Sequence, residues 1–169
     1  MTETPEIILL VSFWLHMLAT VAWIGGLATV VFFILPAAKR TQNAEAYAQT
    51  LTEVNQRLDM VGWLSLIVLV ASGLFQMSAN PNYEGFLAVT NPWARAILLK
   101  HIVFFGMIGV SAYLTWGITP GLKRVALKKA RGFDTPEEAV LLKRATRLIY
   151  LNLILGLVVL IFTALARIA

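Results

Sequence analysis

A chain of 169 residues in which 59% are hydrophobic and only 14% charged lies outside the roughly 45–50% and 25% of soluble domains. That balance excludes an ordinary soluble enzyme, and the net charge of +5 does not point to nucleic acid, because the basic residues are segregated in the way that sets membrane topology. The absence of cysteine excludes disulfides, thiolate ligands and redox thiols, so a bound metal would be held by nitrogen, thioether sulfur or oxygen.

Four apolar stretches, residues 7–35, 60–79, 96–118 and 148–166, are each near or above the ~20 residues with which a helix crosses ~30 Å of hydrocarbon. They predict an all-α fold, a bundle of four transmembrane helices forming a single domain over residues 1–169. The first stretch opens on Glu3 and Glu6 instead of basic residues and runs well beyond the apolar core of a signal peptide, so it reads as a helix of the bundle. Ser12, His16, Thr20 and Trp23 fall on one helical face and are expected to look inward. Pro36, which lacks an amide proton, is expected to end this helix. The polar segment 39–56 that follows reads as a solvated helical connection or as a helix lying along the membrane surface.

In the second stretch Ser65, Ser72 and Gln76 align, and Gly62 and Gly73 allow close helix approach. The connection after it holds Asn80-Pro81-Asn82 and Asn91-Pro92, both turn formers, with Tyr83, Phe86 and Trp93 suited to the interfacial belt. The third stretch carries Lys100 and His101, which point about 100° apart around the helix axis. Before the fourth, Asp134-Thr135-Pro136-Glu137-Glu138 has the pattern of a helix start, with a capping residue, a proline in the first turn and acids near the positive dipole end. Asn152 is read there as a structural amide bonded to another helix.

Eleven of the fourteen Lys and Arg flank the first and third connections. By the positive-inside rule those connections are cytoplasmic and both termini lie on the outer, periplasmic side of a bacterial inner membrane. His16 and His101 then sit at similar depth in the outer half, on helices running in the same direction. A histidine inside a membrane span marks a metal, haem or proton site, and two at one level strengthen that reading over simple packing. Met77 is placed in the same layer and offers a thioether, which suits Cu(I). Lys100 is expected either to snorkel to the interface or to serve the site. Asp59, Glu53 and Glu84 are placed near helix ends or in loops, so an intramembrane carboxylate relay is not expected. No phosphate loop, hydrolytic triad or nucleic-acid motif is present, and no catalytic residue is assigned.

The chain resembles the CopD-like copper resistance family of four-helix membrane domains. The resemblance rests on Leu15-His16-Met17 followed by Trp23-Ile24-Gly25-Gly26 and Pro36, Gln56-Arg57-Leu58 with Ser72-Gly73-Leu74, Leu98-Leu99-Lys100, Pro120-Gly121-Leu122, and Arg144-Ala145-Thr146-Arg147 leading into Leu155-Gly156-Leu157. It implies copper handling or transport at the cytoplasmic membrane; joined to the reading of the residues, copper is expected on His16 and His101, with Met77 as an added thioether. More distantly, the His16 and Lys100 layout is similar to the HemJ-type protoporphyrinogen oxidases, which implies haem b held by His16 with Lys100 as a partner. The motifs that family carries after its first helix and in its fourth are absent here. A b-type cytochrome with His16 and His101 as axial ligands is the alternative cofactor reading, and it needs the two imidazoles about 4 Å apart. A structural subunit of a membrane complex is the third reading. Expected partners are the lipid bilayer and a metal ion or haem, with no nucleic acid; a homo-oligomer or larger membrane complex stays open.

Overall fold

The computed structural model describes residues 6–42 and 44–169. Glu3 lies outside them. The described residues are helical apart from short connections, and four helices are long and apolar enough to cross a membrane. They are α1 (Glu6–Thr41), α2 (Ala44–Ser78), α3 (Pro92–Ala130) and α4 (Glu137–Ile168). Each runs up and down against its neighbours, so the chain ends share one end of the bundle, termed the termini end, and the Lys- and Arg-rich connections share the other, the basic end.

All four helices exceed the apolar stretches from which they are recognised, because helix persists into the polar flanks. α3 starts at Pro92, where the Asn91 side chain accepts the Ala94 amide proton at 2.7 Å and proline occupies a position that needs no donor. The polar segment 44–56 is the opening of α2 and not a separate surface helix. α4 begins at Glu137, with Asp134 accepting the Thr135 amide proton, and Lys128–Glu137 and Lys129–Glu138 ion pairs of 3.0 and 2.9 Å join it to the end of α3.

Pro36 does not end α1. The helix continues to Thr41 by widening into a π turn at Val30–Ile34, in which the Leu35 amide bonds to the Val30 carbonyl. The wider turn moves the carbonyl that the proline ring would strike in an α-helix. α3 repeats the device before Pro120: Tyr113–Ile118 form a π turn, the Thr119 amide bonds to the Leu114 carbonyl, and the Thr119 hydroxyl donates to that carbonyl at 2.9 Å.

The main packing joins α1 to α2 and α3 to α4, with α1 also against α4. The Thr119–Ala130 part of α3 reaches α2 as well, so the basic half closes into a continuous core holding Leu27, Leu51, Leu66, Leu114, Ile118, Ile149 and Leu153. At the centre, Gly156 lets α1 and α3 approach α4; a Cβ there would stand 3.3 Å from both Ile24 and Met107. Exposed Val21, Phe32, Phe33, Ile67 and Trp116 lie on the outside of the bundle, as a bilayer requires of membrane-spanning helices.

Candidate metal centre

The inward stripe of α1 builds the first polar group. Ser12 and Trp23 are buried, and His16 and Thr20 half-buried. The Thr20 hydroxyl returns to the His16 carbonyl at 2.8 Å, which leaves His16 to interact across the interface with α2. There the His16 Nδ1 lies 2.9 Å from the Ser72 hydroxyl. Ser72 has a single hydroxyl proton, and it is given to the Val68 carbonyl at 2.6 Å. The Ser72 oxygen therefore accepts, His16 Nδ1 carries the proton, and Nε2 keeps its lone pair.

The neighbouring residues fix this arrangement. Gly73 makes room for the imidazole, since a Cβ on it would fall 3.3 Å from His16 Cε1. Ser12 donates to the Ser72 carbonyl at 3.3 Å, while the Gln76 amide donates to the Ser12 carbonyl and hydroxyl at 3.0 and 3.2 Å. The alignment of Ser12, Ser72 and Gln76 seen in sequence is thus one interhelical network that supports His16.

His101 has the same tautomer by a different route. Its Nδ1 is 2.7 Å from the Ile97 carbonyl, one turn earlier on α3, and a carbonyl only accepts. Nδ1 is protonated and Nε2 is free. Phe86, from the connection between α2 and α3, covers the ring edge-on with centroids 5.2 Å apart, so the aromatic assigned to the interfacial belt packs directly over the histidine.

Lys100 is half-buried, and both it and His101 are near enough to His16 to act on it electrostatically. The three nitrogen-bearing side chains therefore gather at the termini end. Met77 is buried at the same end, in an apolar cluster with Trp93 and Ala94. Met17 faces outward and is exposed. Among the described residues no three His, Asp or Glu side chains converge as a metal cage. What the arrangement offers chemically is two imidazoles, each with its Nδ1 proton committed and, in the neutral ring, its Nε2 lone pair available. Nitrogen donors held this way are typical of transition-metal ligation.

A second polar group lies toward the basic end, and the sequence does not reveal it. Asp59, placed near a helix end by sequence, stands within α2 in the interior of its span. Asp59 Oδ1 accepts from the Thr115 hydroxyl at 2.9 Å, and Thr115 is also 3.3 Å from the Trp63 indole nitrogen. The Asn152 amide nitrogen donates to Ser111 at 2.8 Å, so the amide does bond across helices. Trp23, seven residues below His16, separates the two groups; its indole is buried and meets Phe104 of α3 edge-on at 6.0 Å.

The family model for copper resistance protein D matches residues 52–166, well over half of the chain. The chain belongs to the copper resistance protein D family. The matched region holds Met77, Lys100, His101, Asp59 and Asn152, and it begins after α1, so His16 is outside it. No curated protein and no solved structure matches the chain. Membership of the CopD family makes this a multi-pass membrane protein of copper resistance, consistent with its four apolar spans.

Proposed function

We propose that this chain is a copper-handling domain that takes Cu(I) as cargo at the termini end, on the Nε2 atoms of His16 and His101. The observation that carries the proposal is that both imidazoles have Nδ1 fixed by an acceptor and Nε2 free, at the same end of a bundle that belongs to a copper resistance family. Two neutral imidazoles satisfy a low-coordinate Cu(I) without any charge from the protein, and Met77 at this end adds a soft thioether donor. Lys100 opposes a cation bound beside it and so keeps the affinity moderate, a property suited to a site that must release its cargo.

In the membrane, the basic connections face the cytoplasm and the histidine end faces the periplasm, which places the site where copper would enter from outside. The bacterial inner membrane is the compartment this orientation fits. A tag at either terminus should then be reached by a membrane-impermeant label in intact spheroplasts; labelling only after lysis would reverse the orientation.

The deciding experiment is elemental analysis of the purified, detergent-solubilised protein together with its absorption spectrum. Copper near one equivalent per chain with no Soret band is expected, and it should be lost in His16→Ala and in His101→Ala. A Soret band with stoichiometric iron would replace copper by a haem held on the same histidines.

A further inference from the structure

The buried polar atoms that lack a hydrogen-bond partner are concentrated in the basic half of the bundle. Among the described residues they are Tyr47 Oη, both amide atoms of Asn55 and Asn152 Oδ1. Asn55 is completely buried and Asn152 is 3% exposed. An unpaired buried polar group carries a desolvation cost that native structures relieve with water or an ion. Asn55 and Asp59 are four residues apart, so they lie on one face of α2, with Asp59 further from the basic end.

Asp59 lines a cavity of about 30 Å³ with Ser111 and Asn152, together with Trp23, Leu27 and Trp63. A space of this size admits one water-sized body. The lining brings together the Asp59 carboxylate, the Ser111 hydroxyl and the unpartnered Oδ1 of Asn152, whose nitrogen is already committed to Ser111, beside the Trp23 and Trp63 indoles. Carboxylate, hydroxyl and amide oxygens are ligands for hard cations and not for Cu(I). Asp59 is the acid that lines this cavity, with Lys123 of α3 acting on it electrostatically.

We infer that this cavity is a binding site for a single hard monovalent cation, sodium or a hydrated proton, held by Asp59, Ser111 and Asn152. The cation gives Asn152 Oδ1 the partner that the protein does not supply. Trp23 and Phe104 stand between this site and the histidines, which lie ~15 Å away along the helices, so the two sites take different ions.

The test uses copper-free, detergent-solubilised protein and follows its melting temperature while choline chloride is exchanged for sodium chloride at constant ionic strength, at acid and at alkaline pH. A saturable sodium-dependent rise in the wild type, absent in Asp59→Asn and reduced in Asn152→Leu, establishes sodium. A rise on acidification that is insensitive to sodium and absent in Asp59→Asn establishes the proton. Equal responses of wild type and Asp59→Asn to both ions overturn the proposal, as does an Asp59-dependent response to magnesium or calcium alone. If Asp59→Asn fails to fold, broadening of the sodium-23 resonance by the wild type, relieved by lithium and lost in Asn152→Leu, decides the question. Copper content is expected to be unchanged in Asn152→Leu, so failure here leaves the histidine site untouched.

Discussion

The two ends of the bundle are built on opposite principles. At the termini end, α1 packs on α2 and α3 on α4, and the polar side chains gathered among them are nitrogen bases whose hydrogen bonds are made locally: His16 to Ser72, His101 to its own helix. At the basic end, α3 also reaches α2, the apolar core is continuous, and the buried polar groups are oxygen-rich and incompletely paired. The histidine end satisfies its backbone and hydroxyl groups and leaves two lone pairs for a ligand. The basic end is closed by apolar packing and keeps its unsatisfied groups inside. The contrast teaches that donor type and packing density divide the bundle into a nitrogen-donor half and a more closely packed half with oxygen-rich buried groups.

The comparison breaks most visibly if stability and binding fail to separate. Trp23→Ala removes a nearly fully buried indole from the boundary between the halves and is expected to cost about 3–5 kcal/mol, read as a large drop in melting temperature. His16→Ala combined with His101→Ala should leave the melting temperature close to wild type while abolishing copper binding. Comparable melting of the two variants would show that the histidines hold the fold as well as the ligand.

A smaller effect sharpens the account of the histidine end. Ser72→Ala removes the acceptor that fixes the His16 tautomer, and loss of such an outer partner typically weakens metal binding about 10–100-fold. Competition with a chromogenic Cu(I) chelator measures it, and an unchanged affinity would mean that Ser72 serves only packing. The mildest change runs in the opposite direction. Lys100→Met takes a positive charge away from the site and should tighten Cu(I) binding by about threefold, the scale of a partly screened charge interaction. Weaker binding in that variant would make Lys100 a supporting group.

Much of the fold is legible in the residues, because a helix that spans a bilayer must be apolar along its length, and little else produces four such stretches in so short a chain. The same holds for the inward face of α1: Ser12, His16 and Trp23 follow a constant angular step and are found buried or half-buried. Helix ends are less legible. Asn91-Pro92 reads as a turn and Pro36 as a terminator, yet Pro92 opens α3 and Pro36 is accommodated inside α1, because neighbouring backbone geometry decides whether a missing donor matters. The Asp59 cavity was hidden for a different reason. Asp59, Ser111 and Asn152 come from three helices, and their meeting depends on helix rotation, which hydropathy does not encode. An aspartate within reach of an apolar span is the available signal, but hydropathy alone starts the second stretch at Met60 and leaves Asp59 just outside it.

The π turns before Pro36 and Pro120 have a consequence for how such a bundle changes over time. Each turn accommodates one residue more than an α-helix would, so the faces above and below it are out of step by about a third of a revolution. Each helix is therefore two rods joined by a slipped thread. Substitutions near the histidines leave the orientation of the lower rods intact, and a single inserted or deleted residue confined to the slip re-aims one rod without disturbing the other.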